Sequence, residues 1–266
     1  MKDLRSFYAW SIVMLLILSS YGLSLEAQGS TPCHTTLTSG TGANFMRVCI
    51  SNHGNLINFL SPSTFQDHIA SEGYAICDNP GNAEFVSGWD AGGSEAGCGD
   101  PTISQPNGAN TLPLTITRPC HCITFKQVFS RDTTEKDITI TMTLTNICNF
   151  TLSNNRVSRY FDGNIHGDAI LDIYDNSFDS VWGRDIEALS LTALTFGTTH
   201  EVAVESFKEW DPNGDLAFSF RTSTGCDRIT ETSPTAPGDF VGRVTYFLGT
   251  LNTNQSKTVK VVYRRY

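Results

Sequence analysis

Ile138, Ile140, Met142 and Leu144 alternate with Thr139, Thr141, Thr143 and Thr145. A period of two gives a strand one apolar face and one hydroxyl-bearing face; a helix would scatter the same residues around its circumference. The threonine row reads as an exposed strand face, which suits β-branched residues, rather than as a binding surface. Shorter runs of strand character recur at 45–51, 56–60, 74–77, 112–118, 122–129, 156–161, 188–196, 202–207, 216–221, 242–248 and 258–264. The stretch 186–194 is open between a strand and a helical turn.

Polar turn clusters punctuate these runs. Ser51-Asn52-His53-Gly54-Asn55 and Asp211-Pro212-Asn213-Gly214-Asp215 read as tight hairpins, with glycine supplying positive φ. Residues 251–255 link the last two strands. Many short strands with regular turns and no long helix predict an all-β fold, a single large antiparallel β-sandwich stapled by disulfides. One region departs from the pattern. Residues 78–110 are rich in Gly, Asn and Pro, with at most one short strand at 84–87. A loop this long in a compact domain is usually functional or disordered.

The N-terminus changes the picture of compartment. Lys2 and Arg5 precede an uncharged stretch from Ser6 to Leu25, and Ala27 offers a small residue for cleavage. Residues 1–27 therefore read as a secretory signal, and 28–266 as one β-sandwich domain. An uncleaved membrane anchor is the rival reading. Export places all eight cysteines in an oxidising compartment, secreted, periplasmic or at the cell surface, where thiols pair. Short loop closures favour Cys33–Cys49 and Cys77–Cys98. Cys120 and Cys122, one residue apart, should take different partners.

The net charge of −9 argues against nucleic-acid binding through a phosphate-tracking surface. It suits divalent cations or neutral partners such as sugars. Charged residues make up 17% and aromatic residues 11% of the chain, a globular rather than a disordered composition.

Two segments carry a resemblance. Residues 143–152, Thr-Leu-Thr-Asn-Ile-Cys-Asn-Phe-Thr-Leu, resemble the strand–turn–strand of extracellular β-sandwiches, in which a strand ends at an Asn. Residues 248–259, Leu-Gly-Thr-Leu-Asn-Thr-Asn-Gln-Ser-Lys-Thr-Val, resemble their closing hairpin. The length suits the supersandwich of galactose-mutarotase-like and glucoamylase N-terminal domains. The resemblance implies core strands around 156–162 and 72–74. It transfers no catalytic residue, because no mutarotase His or Glu can be placed on this chain.

Candidate chemistry falls in a few places. Asp162-Gly163-Asn164-Ile165-His166-Gly167-Asp168 imitates the start of a calcium loop, with oxygen ligands at alternate positions followed by Gly. Asp162, Asn164 and Asp168 are its candidate ligands. His166 replaces an expected oxygen donor, and Ile173 stands where the closing Glu belongs; a solvated acidic turn explains the same residues. Cys120-His121-Cys122 is spaced too tightly for a usual zinc hook. Trp89, with Asp90 beside it in the glycine-rich loop, and Trp210 could stack on sugar rings. Glu201 and Glu205 alternate with valines, as on a plain solvent face. Neither a nucleophile elbow nor a zinc-helix motif occurs. Asn149-Phe150-Thr151 and Asn254-Gln255-Ser256 fit glycosylation acceptors, of consequence only in a eukaryotic host.

The first functional reading is an exported, non-catalytic binding or cell-surface module that takes glycans or a surface protein and is stabilised by calcium. The alternatives are a carbohydrate-active enzyme (hydrolase, lyase or epimerase) using carboxylates on the sheet face, and a structural or adhesion subunit.

Overall fold

The computed structural model describes residues 33–61, 67–78, 84–89, 98–131, 136–163, 165, 173–184, 188–195, 197–206 and 240–266. Alternating apolar residues build β1 (Thr35–Ser39), β2 (Met46–Ile50), β3 (Leu56–Leu60), β4 (Ile69–Asp78) and β5 (Glu84–Trp89). They are followed by β6 (Thr102–Ser104), β7 (Leu114–Cys120), β8 (Ile123–Ser130), β9 (Asp137–Asn146) and β10 (Leu152–Gly163). The remaining strands are β11 (Ile173–Asn176), β12 (Ser180–Arg184), β13 (Ala188–Ala193), β14 (His200–Ser206), β15 (Phe240–Leu251) and β16 (Ser256–Arg265). They form three antiparallel sheets with the orders β1-β2-β3, β14-β15-β10-β4-β5 and β11-β12-β13-β16-β9-β8-β7-β6. Buried apolar side chains from all three sheets join in one core cluster.

The all-β sandwich expected from the alternation is what the chain forms. In β9 the apolar row Ile138, Ile140, Met142 and Leu144 is fully buried. Of the hydroxyl row, Thr141, Thr143 and Thr145 are partly exposed, whereas Thr139 is buried; Thr143 pairs across to Thr258 of β16 at 2.9 Å and Thr145 to Ser256 at 2.7 Å. Such cross-strand hydroxyl pairs add to sheet stability without burial. The ambiguous stretch 186–194 holds strand β13, whose Leu189 and Leu191 are buried. Strands β1, β6, β11 and β12 had no clear sequence signal; β1 is four Ser/Thr residues around Leu37, and β6 is three residues long. The glycine-rich region 78–110 carries more strand than expected, because β5 runs along β4 from Glu84 to Trp89.

The first predicted hairpin is present. Ser51 N–H donates to Asn55 O at 2.9 Å, and Gly54 has φ +91°. A Cβ on Gly54 would lie 2.2 Å from Gln127 Nε2, so the turn also presses its backbone against β8. The hairpin at 211–215 and the strand at 216–221 lie outside the described residues. The predicted closing hairpin is corrected: β15 belongs to the five-stranded sheet and β16 to the eight-stranded one, so residues 251–255 cross between layers. The β9–β10 turn crosses in the same way. Asn146 joins the two corners, its N–H donating to Gln255 O at 3.0 Å and its Nδ2 to Leu251 O at 3.0 Å. The Asn that carries the sequence resemblance is thus the residue that ties the sandwich at this end.

Three disulfides lie wholly among the described residues: Cys33–Cys49, Cys98–Cys120 and Cys122–Cys148. The first was expected, as were separate partners for Cys120 and Cys122. The expected Cys77–Cys98 bridge is corrected. Gly99 N–H donates to Pro119 O at 2.7 Å and lays Cys98 beside the end of β7. Cys77 sits on β4 in the other sheet and is itself disulfide-bonded. Short loop closure loses here to the separation of the layers.

At Gly242 on β15 the two large sheets approach closely. A Cβ there would lie 2.6 Å from Val181 Cγ2 on β12 and 2.9 Å from the Phe161 ring. Gly242→Ala is expected to destabilise the protein by about 1–3 kcal/mol, as overpacking does. Urea denaturation checks this, and an unchanged midpoint would refute the close approach.

Candidate functional site

The two faces of the five-stranded sheet differ. Val157, Arg159 and Phe161 of β10 face the eight-stranded sheet, where the Phe161 and Tyr263 rings meet edge-on at 5.9 Å. Arg159 on this apolar face is fully buried and paired with equally buried Glu72 of β4. Both oxygens of Glu72 meet only donors. Oε1 accepts from Arg159 Nε and from Tyr263 OH at 2.7 Å. Oε2 accepts from Leu56 N–H at 2.7 Å and Arg159 NH2 at 2.9 Å. Burial pushes the Glu72 carboxyl above its ordinary value, and the Arg159 charge opposes that rise.

Arg159 also donates to Gly54 O at 2.7 Å and to Gln127 Oε1. Gln127 Nε2 and Tyr74 OH both donate to His53 O, at 3.0 and 3.2 Å, and Arg118 NH1 donates to Tyr74 OH at 2.8 Å. This network links the hairpin at 51–55, β4, β10, β7, β8 and β16. With Glu72, Gln127 and Arg159 at 0–1% exposure, no ligand reaches it. Its role is to hold three sheets in register.

The opposite face of the same sheet is polar and partly open. Arg156 pairs with Phe247 across β10 and β15, and its guanidinium lies over that ring at 5.2 Å. One row further on, Ser158 pairs with Thr245, and their hydroxyls bond at 2.8 Å. Thr245 in turn pairs with Glu201 of β14. Arg156, Phe247 and Glu201 are half-buried, while Ser158 and Thr245 form a buried floor. A guanidinium, a carboxylate, two hydroxyls and an aromatic ring therefore share one patch. Such a patch offers both donors and acceptors to a polyhydroxylated ligand and an apolar surface to its carbon ring. The next row, Ala203, Arg243, Tyr160 and Gly73, is closed off, with Tyr160 at 0% and Arg243 at 4% exposure.

Several residues singled out in the sequence fall on this polar face by register. Trp89 pairs with Gly73, in the row of Tyr160. Asp162 pairs with Val241 and Ser71, and Glu205 with Val241, one row on. Asp90, Trp210, Asn164 and Asp168, and with them the candidate calcium loop, lie outside the described residues. Glu201 departs from the plain solvent face expected of it, since its neighbours Ala203 and Thr245 are 1% and 6% exposed. Cys120 and Cys122 are both in disulfides and hold no metal. Trp182, half-buried on β12, has Arg184 over its ring at 5.4 Å.

Sequence reasoning missed Glu72 and Arg159 as a pair. A signal existed: Val157-Arg159-Phe161 and Glu72-Tyr74-Ile76 place a charge on an otherwise apolar strand face, which demands a buried partner. It also missed Ser61 and His68, whose Oγ and Nε2 lie 2.6 Å apart. Both residues are fully buried, so this pair presents no nucleophile to a substrate. Beside them Asp67 Oδ1 accepts from Phe59 N–H at 2.8 Å and Ile69 N–H at 3.2 Å. Burial pushes the Asp67 carboxyl up from 3.8 to about 6, against the pull of these hydrogen bonds and of Arg47.

No protein-family profile matches the chain, and no curated protein sequence matches it. Solved structures do. A bacterial glucoamylase in complex with acarbose is similar with a TM-score of 0.60 at 8% identity. The similarity covers 89% of this chain and 32% of the glucoamylase, so the chain spans about a third of that protein. An Escherichia coli K12 protein assigned as an aldose 1-epimerase is similar with a TM-score of 0.48 at 11% identity, over 87% of this chain and 99% of that one. The sandwich resemblance read from residues 143–152 and 248–259 is borne out at the level of the fold. At 8% identity the likeness carries the fold alone.

Proposed function

We propose that the protein is an exported carbohydrate-binding β-sandwich whose ligand sits on the polar face of the five-stranded sheet, against Arg156, Glu201 and Phe247. The observation that carries this reading is the patch itself: charged, hydroxyl and aromatic groups converge on a sheet face whose other side is core. Glu201 and Arg156 supply paired acceptors and donors for adjacent sugar hydroxyls, and the Phe247 edge covers a pyranose face. Trp89, paired with Gly73 by register, is the further aromatic residue tested below. The disulfides fit an extracellular or periplasmic setting.

A glycan array probed with the exported protein, with calcium and with chelator, identifies the ligand and tests the calcium expectation for Asp162, Asn164 and Asp168 together. With the best array ligand, Glu201→Gln and Trp89→Ala are each expected to weaken binding by about 1–3 kcal/mol, typical of a hot-spot contact. Calorimetry measures this, with thermal unfolding as the control for folding. Full affinity in both variants would move the site off this face.

A second reading is favoured by one observation. Backbone register places Asp162 and Glu205 opposite Val241, two rows along from Glu201, and glycoside hydrolysis uses two carboxylates. Product release from the array ligand on prolonged incubation, lost in Glu201→Gln, would convert the binding protein into an enzyme.

A further inference from the structure

The two sequence motifs for asparagine glycosylation, 149–151 and 254–256, lie far apart in the chain but in adjoining turns of the folded protein. The first is in the β9–β10 corner and the second in the β15–β16 corner. The corners are hydrogen-bonded to each other, Asn254 N–H donating to Asn146 O at 2.9 Å and Thr151 Oγ1 to Asn252 Oδ1 at 3.3 Å. Asn149, Thr151, Asn254 and Ser256 are all exposed. Asn254 has φ +62°, which holds it at the turn. A second observation bears on the first acceptor. Ile147 and Phe150, on either side of Asn149 in sequence, are 49% and 54% exposed, although large apolar side chains elsewhere in the described residues are mostly buried. Two such residues within one short polar corner are suited to a covering group.

We propose that Asn149 and Asn254 are acceptors for asparagine-linked oligosaccharide, and that the glycan on Asn149 covers Ile147 and Phe150. In the transfer the side-chain amide nitrogen attacks C1 of an oligosaccharide carried on a polyisoprenyl diphosphate. The N–C1 bond forms, the C1–O bond to diphosphate breaks, the lipid diphosphate leaves with the electron pair, and the amide nitrogen loses a proton. Threonine and serine two residues on are the hydroxyl partners that the motif requires. The acceptors sit where strands turn between layers, so a glycan meets solvent and disturbs neither sheet.

The full chain is expressed through a secretory pathway that carries the transferase, in insect cells. The secreted protein is treated with peptide-N-glycosidase in heavy-oxygen water. Conversion of Asn149 and Asn254 to labelled Asp in the peptide mass spectrum is expected. Asn149→Gln and Asn254→Gln should each remove one glycan, and the double variant both. Asn149→Gln should also increase binding of a hydrophobic dye, whereas Asn254→Gln should not. Unmodified peptides at both positions would overturn the proposal, an unmodified peptide at one would overturn it for that site, and equal dye binding by the two variants would overturn the covering role.

Discussion

Glu72→Ala is expected to cost about 3–5 kcal/mol, the range for breaking a buried ion pair by removing one partner. The substitution strands Arg159 at the centre of the sandwich, and a guanidinium cannot shed its charge in a protein. It also leaves Leu56 N–H and Tyr263 OH without the acceptor they share. Arg159→Met strands the opposite partner and is expected to cost less, because a carboxyl can take up a proton. Burial already holds the Glu72 carboxyl above its ordinary value of 4.5 beside Arg159, and loss of the opposing guanidinium charge raises it further, so the pH dependence of the variant extends to higher pH than that of the parent. The native state then holds the extra proton, so stability falls as pH rises from the unfolded value through the folded one. Urea titrations of both variants between pH 4 and pH 8 check the ordering. Glu72→Ala within about 1 kcal/mol of the parent protein would mean that the network does not hold the sheets.

Asp67→Asn is expected to stabilise the protein at neutral pH. Asn keeps an oxygen for Phe59 N–H and Ile69 N–H but carries no charge to desolvate. The Asp67 carboxyl titrates at about 6 in the folded state and 3.8 otherwise. Between these values the folded protein binds the proton more tightly, so the parent loses stability as pH rises through the window and regains it on acidification. The full shift, in which the pull of Arg47 is already included, corresponds to about 3 kcal/mol. The measurement is the difference between variant and parent in unfolding free energy at pH 4 and pH 7.5. It should be near zero at the lower pH and large at the higher. Parallel profiles for the two proteins would remove burial as the cause.

How much of this was legible in the chain depends on whether the cause is local. The strand β9 follows from its threonine alternation alone, and the hairpin at 51–55 from Asn and Gly in a tight turn. The layer change at 251–255 is not local. A hairpin and an inter-sheet corner use the same polar residues, and only pairing of β15 with β10 and of β16 with β9 separates them. One disulfide expectation failed for the same reason: chain separation favoured Cys77–Cys98, but the sheets put Cys98 beside Cys120. For the site, Glu201 was visible as a carboxylate on one strand. Its grouping with Arg156 and Phe247 needed the register of three strands, which no period reveals. Trp89 and Asp162 were chosen for their loops, yet they are joined by a sheet face.

The interleaved order of the two large sheets bears on how this protein can be made. β15 lies between β10 and β14, and β16 lies between β9 and β13. Asn146 must wait for Leu251, 105 positions later, before its corner can close. Pairings of such long range are slow to form. A ribosome-stalled chain that ends before β15 therefore leaves unpaired the edges of β9, β10, β13 and β14 that β15 and β16 cover in the folded protein, and these are templates for aggregation. Folding delayed until the last two strands are available removes that hazard.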